Sequence, residues 1–273
     1  MNTVQYPWEA DFYDPKLFDC GAGNADEEKV LSLYISVFGK NPQRILDIGC
    51  GTGRSGLAFS RAGHNVHGID ISPVMLESLK LKIKKSTDLR ASLTYEVMNL
   101  LDLDEKYKSR FDAASGVGDV LTHFLTIHTL EDALRKIYMA LKPSGVFITD
   151  LTGRNLKRLK IAASNYPKPL YAYPVVSGYI NQGVNHFVTM QEFEEYNVDT
   201  GLVLSHQRYE IIDEIGTVAE TFYKTIRQRL YKPDEISKIA VNIGFTTQIF
   251  SRESLSGKAK LKTGYLLVMK KDE

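Results

Sequence analysis

The chain has 273 residues, 43% of them hydrophobic and 25% charged, a globular composition that excludes disorder, coiled coil and disulfide scaffold. Thirty-four Lys and Arg against 33 Asp and Glu leave a formal charge of +1, too little for a binder that relies on neutralising phosphates non-specifically. No apolar run approaches the ~18 residues of a membrane span. Residues 1–20 carry acids and aromatics where a signal peptide has a basic end and an apolar centre, and Cys20 and Cys50 fit no zinc or disulfide spacing. A cytoplasmic chain with reduced thiols, no metal and no membrane partner is expected.

In chain order, Tyr6, Trp8, Phe12 and Tyr13 crowd the segment ahead of the first helix. Residues 25–40 set Val30, Leu31, Tyr34, Val37 and Phe38 at helical spacing before Gly39 and Pro42. Residues 44–48 read as a short buried strand running into Gly49-Cys50-Gly51-Thr52-Gly53, and Leu57, Ala58 and Ala62 resume a helical period. A second strand over 65–70 ends in Asp70, after which Ser72 and Pro73 suit the cap and first turn of a helix over 74–85. Strands follow over 93–98, 110–115 and 145–151, with a helix over 129–141 that Pro143 terminates. This alternation predicts an α/β fold with a mostly parallel sheet and right-handed crossovers.

After Thr152 the pattern changes. A basic run (Arg154, Lys157, Arg158, Lys160) and a Tyr/Pro-rich stretch (Tyr166, Tyr171, Tyr173, Tyr179) lead into alternating strands over 188–197, 202–214 and 218–231. Asp199-Thr200-Gly201 and Ile215-Gly216-Thr217 read as the hairpin turns between them. Residues 154–231 are therefore an inserted antiparallel β subdomain, either a lid that selects substrate or the surface of a homodimer. Residues 1–153 and 232–273 form the main domain, which closes with a helix over 233–242, a stop at Gly244, and strands over 246–251 and 265–270.

Three alternate glycines between a buried strand and a helix start let a backbone approach a ligand, though a turn set only by packing would look the same. Gly51, Gly53 and Gly56 also fit GxGxxG, and Asp70 ends the next strand, where a carboxylate can accept both hydroxyls of a ribose. LDIGCGTG at 46–53 and HGIDISPVML at 67–76 resemble the first and second motifs of the class I S-adenosylmethionine-dependent methyltransferases. The pattern runs in order over 44–153 and 232–273, with the insertion outside it.

That resemblance, to the small-molecule branch, implies a Rossmann-like, doubly wound, mostly parallel sheet with an antiparallel last strand. It implies S-adenosylmethionine as cofactor and S-adenosylhomocysteine as product. Gly49, Cys50, Gly51 and Gly53 would flank the methionine half, Asp70 with Ile71 would hold the ribose, and Asp47 would orient the glycine loop or reach the cofactor's amino group. Asn99 and Leu100 follow the third strand, where the family often has an aspartate that reads the adenine amine. Asn99 departs from it, but its carbonyl can accept from the same amine, unless it is an ordinary turn residue. Ser115 lies on the fourth strand, whose following loop passes the sulfonium, and Tyr13 belongs to a segment that often covers the cofactor.

Asp119 and His123 are four apart, hence on one face if a helix begins there, and are the candidate catalytic residues facing the acceptor. A helix-start acid and a partly exposed imidazole are the plainer readings. The remaining histidines form no metal spacing. Tyr138-Met139-Ala140-Leu141-Lys142 fits the YxxxK of short-chain dehydrogenases, but Leu134, Ile137, Tyr138 and Leu141 make one apolar stripe, so Tyr138 is read as core. The expected function is in-line methyl transfer to a small molecule, nitrogen preferred over oxygen. RNA or protein methylation and non-catalytic cofactor binding are the alternatives, with nucleic acid not expected as a partner.

Overall fold

A computed structural model of the chain describes residues 15–19, 27–153, 155–164, 167–181, 183–251 and 264–272. Its contacts divide it into two compact units, Asp26–Gly153 with Tyr231–Glu273, and Arg154–Leu230 with Met1–Ala25.

Helix α1 (Pro15–Asp19) belongs to the second unit and α2 (Glu27–Phe38) to the first. The first unit continues with β1 (Arg44–Ile48), α3 (Arg54–Arg61), β2 (Asn65–Asp70), α4 (Pro73–Lys85), β3 (Leu93–Val97), β4 (Phe111–Gly116), α5 (Ile127–Ala140) and β5 (Leu141–Thr152). Seven strands form one sheet in the order β11-β12-β5-β4-β1-β2-β3, where β11 is Phe245–Ser251 and β12 is Gly264–Lys271. Pairing is parallel from β5 through β3, and β12 lies antiparallel between β5 and β11, as expected for the last strand.

Alternation along β1 explains the layers. Ile45 packs with Leu31, Tyr34, Phe38 and Phe59 of α2 and α3, whereas Leu46 and Ile48 join Leu130, Leu134 and Ile137 of α5. Both faces of the sheet are thus covered by helices, which is why β1 is buried from Ile45 through Ile48. Ser72 caps α4 by accepting from the Met75 N–H at 3.3 Å. Asp112 is structural, accepting from the Arg44 N–H at 2.8 Å and from Lys142 at 2.6 Å. Tyr138 packs edge-on against Phe245 with the Lys271 ammonium over its ring, so its YxxxK spacing is a packing coincidence.

The inserted unit carries more structure than the three alternating strands predict. It contains α6 (Leu156–Ala163), β6 (Tyr171–Ala172), β7 (Val176–Asn181), β8 (Val184–Tyr196), β9 (Leu202–Ile212) and β10 (Val218–Arg229), a five-stranded sheet ordered β10-β9-β8-β6 with β7 also on β8. The chain then re-enters the first unit through α7 (Pro233–Ile243), closed by Gly244 at φ 118°. Leu17 of α1 packs with Tyr179, Val188, Met190, Tyr209 and Ile211 of this sheet. By its contacts α1 thus groups with the inserted sheet, whose apolar face covers Leu17.

Candidate functional site

The site grows from the carboxyl ends of β1, β2 and β4, where the strand order reverses direction from β1. Gly49, Gly51 and Gly53 have φ of 64°, 54° and 87°, the left-handed region in which a side chain is strained. A Cβ on Gly53 would stand 2.1 Å from Leu79 Cδ1, so α4 packs against the turn only because no side chain intervenes.

Asp70 closes this turn from the neighbouring strand. Its Oδ2 accepts the Gly51 N–H and its Oδ1 the Ser72 N–H, each at 2.8 Å. Burial pushes its pKa up while the N–H groups of Ser72, Gly51 and Ile71 pull it down. Each oxygen retains acceptor capacity beyond these bonds, and Ile71 beside it is exposed.

Asp47 is completely buried and accepts from the Ser55 hydroxyl at 2.6 Å and the Ser115 hydroxyl at 2.8 Å. Burial raises its pKa to about 6, against the opposing pull of the two hydroxyls. Of its two expected roles, this geometry suits orienting the loop: the carboxylate ties α3 to β4 beneath the turn. Ser115 is itself fully buried with its hydroxyl spent on Asp47, a link the sequence does not announce.

Cys50 is buried against Leu76 and Leu79, and burial pushes its thiol up. Its backbone serves the turn, the N–H donating to the Ile69 carbonyl at 3.1 Å and the carbonyl accepting from Gly53 at 2.9 Å. Asn99 accepts the Leu101 N–H at 3.0 Å and so caps the 3-10 turn Leu100–Asp102, which leaves its carbonyl engaged locally. Leu100 is buried in the core with Leu130 and Leu134. Tyr13, with Tyr6, Trp8, Phe12, Cys20, Arg154 and Tyr166, lies outside the described residues.

The shared face expected for Asp119 and His123 is not formed. Asp119, at φ 63°, precedes a 3-10 turn over Val120–His123, and in such a turn residues three apart eclipse, not four. Asp119 Oδ1 accepts the Thr152 N–H at 2.6 Å, pinning the loop after β4 to the end of β5. Sequence reasoning missed Asp150, 3% exposed, whose Oδ1 accepts the Gly118 N–H at 2.8 Å and the Tyr34 hydroxyl at 2.7 Å. An acid within an apolar strand is the signal that could have found it. Among the described residues no group of His, Cys, Asp and Glu is placed to hold a metal, and no helix is long and apolar enough to cross a membrane.

Residues 45–145, which contain this turn and Asp70, match the family model of the methyltransferase domain. Over that stretch the chain is similar to the methyltransferase domain of the S-adenosylmethionine-dependent enzymes. A ubiquinone biosynthesis O-methyltransferase of Bradyrhizobium diazoefficiens is 28% identical over 167 residues, 60% of each chain. The chain thus matches about 60% of the length of this curated relative. Among solved structures, DesVI of Streptomyces venezuelae superposes with a TM-score of 0.67 at 18% identity, covering 97% of this chain and 98% of that one. The sugar N-methyltransferase KedS8 of a Streptoalloteichus species gives 0.67 at 17%, covering 96% and 94%. Coverage this high includes the inserted sheet as well as the methyltransferase domain.

The donor set fits the cofactor of this methyltransferase family. Vicinal ribose hydroxyls require paired acceptors, which Asp70 offers, and a base or ribose face requires apolar surface, which Ile71 offers. A glycine turn admits the rest of the molecule without a Cβ in its path.

Proposed function

We propose that this chain transfers the methyl group of S-adenosylmethionine to a small-molecule acceptor, an amine in preference to a hydroxyl, and that residues 154–231 select that acceptor. The observation that carries the reading is Asp70 joined to the Gly51 N–H at the ends of adjacent parallel strands. The cofactor supplies a methyl group on a positively charged sulfur, and its in-line displacement disperses charge. The protein therefore gains most from alignment and from excluding water.

Asp47 holds the turn through Ser55 and Ser115, and Asp150 and Asp119 hold the loop after β4, so three carboxylates act as positioning groups around the strand ends. None of them is arranged as a base. A neutral amine attacks without one and loses its proton afterwards, whereas a hydroxyl needs a base within hydrogen-bond reach. Arg158 turns inward to Glu192 and Glu194, which removes it from the basic run that an RNA or protein substrate would use.

The test is calorimetric titration of the purified chain with S-adenosylmethionine, followed by methyl-label transfer to matched sets of small amines and alcohols. Binding with label on amines is expected. Tight NADH binding in place of the adenosyl cofactor would overturn the cofactor reading, and label on alcohols alone would overturn the preference for nitrogen.

A further inference from the structure

We propose that the inserted unit has a ligand site of its own, a cleft at the hairpin end of β8 and β9 that binds an organic amine in its ammonium form. The inference does not rest on the methyl-transfer reading.

The cleft has a volume of about 920 Å³, and the residues that line it all belong to the inserted unit. Sites for small organic molecules are of this size, roughly 300–1,000 Å³, and are mostly apolar with a few polar groups that fix orientation. One wall follows from strand alternation. Phe193 and Glu195 are two apart on β8 and so share a face, and Leu204 of β9 pairs directly with Glu195. Glu195 Oε1 accepts from His206 Nε2 at 3.1 Å. His206 is fixed in turn by stacking on Phe193 at 4.5 Å and by its Nδ1, 2.9 Å from the Thr225 hydroxyl. The carboxylate is thus held through one oxygen, and with 48% of the side chain exposed, Oε2 can accept from a ligand.

The last turn of α6, Ala162 and Ala163, forms a second wall, where the unpaired carbonyls of a helix end carry partial negative charge. Lys168, the cation among the lining residues, donates to one of them, the Ala162 carbonyl, at 3.1 Å. Other polar groups of the lining are engaged locally. The Ser164 hydroxyl donates to the Ile161 carbonyl at 2.6 Å, and Asn197 Oδ1 accepts the N–H groups of Asp199 and Thr200 at 3.0 Å each. The cleft therefore presents a carboxylate, the carbonyl end of a helix, and the rings of Phe193 and Tyr196. All three attract a cation, the rings through their quadrupole, whereas an anion would meet Glu195. The half-buried side chains of Phe193 and Leu204 suit a ligand whose ammonium is carried on a hydrocarbon body.

The experiment is a ligand-observed NMR titration of the full chain, without any adenosyl compound, using 2-phenylethylamine and 2-phenylethanol, which differ in carrying an ammonium or a hydroxyl. The parent should bind the amine about three- to tenfold more tightly. Glu195→Gln keeps an acceptor for His206 and should abolish that preference, and Ala163→Trp, which fills the cleft, should weaken both compounds. Thermal melts identify a variant that does not fold, and the two substitutions act on different walls, so each checks the other. A parent that binds neither compound or both equally, a folded Glu195→Gln that keeps the preference, or a folded Ala163→Trp that binds as the parent does overturns the inference. Since the sample holds no cofactor, none of these outcomes bears on the S-adenosylmethionine reading.

Discussion

Burial of acids is handled differently in the two units. In the inserted sheet, Glu192 and Glu194 are 5% and 4% exposed and share Arg158, which pairs with both. Glu192 also accepts from the Tyr173 hydroxyl at 2.9 Å, Ser205 at 2.7 Å and Gln207 at 2.8 Å. In the first unit, Asp47 is held by serine hydroxyls, and burial leaves its pKa near 6. A guanidinium sets a countercharge beside its carboxylates and locks α6 to β8. Hydroxyls satisfy hydrogen bonds without supplying charge, so the acid beneath the glycine turn stays close to titration.

The largest effect expected from breaking this contrast is on the inserted unit. Arg158→Met leaves two buried carboxylates without their cation and should cost about 3 kcal/mol, the low end for a broken buried pair because a fifth of the arginine side chain is exposed. Urea denaturation measures it, and S-adenosylhomocysteine affinity should stay within about twofold. Adding Glu192→Gln and Glu194→Gln should recover part of the loss; a cost below ~1 kcal/mol would show that the pair behaves as a surface bridge.

Asp47 sharpens the other side. Because its pKa is raised in the folded state from 3.8 to about 6, the folded chain binds this proton more tightly than the unfolded chain. Its contribution to stability is therefore most favourable near pH 4, declines as pH rises to about 6, and is constant above; the span is on the order of 3 kcal/mol. Asp47→Asn should flatten that part of the stability profile between pH 4 and 7, and an unchanged slope would mean that Asp47 does not titrate there.

Asp70→Ala should reduce S-adenosylmethionine affinity on the order of tenfold to several hundredfold, since charge-assisted hydrogen bonds are worth about 1.5–3 kcal/mol each. Unchanged affinity in a folded variant would remove Asp70 from the site. The smallest effect is at Asn99. Aspartate there keeps the acceptor for the Leu101 N–H and should leave stability and affinity nearly unchanged, whereas Asn99→Leu loses the cap at about 1 kcal/mol. If only affinity falls in the leucine variant, the residue reads adenine and is more than a turn.

How much was legible depends on how local the cause is. The turn at 49–53, the Ser72 cap and the Gly244 stop follow from residues a few positions apart, and the structure contains all three. The expected face shared by Asp119 and His123 failed because an i, i+4 argument assumes an α-helix, and the loop after β4 tightens into a 3-10 turn. β6 and β7 were missed because two- and six-residue strands in a Tyr/Pro-rich stretch have too short a period to stand out. The pairing of Asp47 with Ser115 and of Tyr34 with Asp150 joins residues 68 and 116 positions apart.

By itself, the sequence determined the α/β alternation, the glycine turn followed by an acid at the end of the next strand, and the place where an antiparallel insertion begins. Those are set by backbone sterics, hydrophobic period and capping, all of which act within a few residues. Only the tertiary structure decided which acids face the strand ends and which are consumed in holding them. A carboxylate's role depends on its burial and on donors from other strands and helices: Asp47 becomes a brace, Asp70 keeps acceptor capacity beside an exposed Ile71, and Asp150 fixes Gly118 because distant segments meet at each of them.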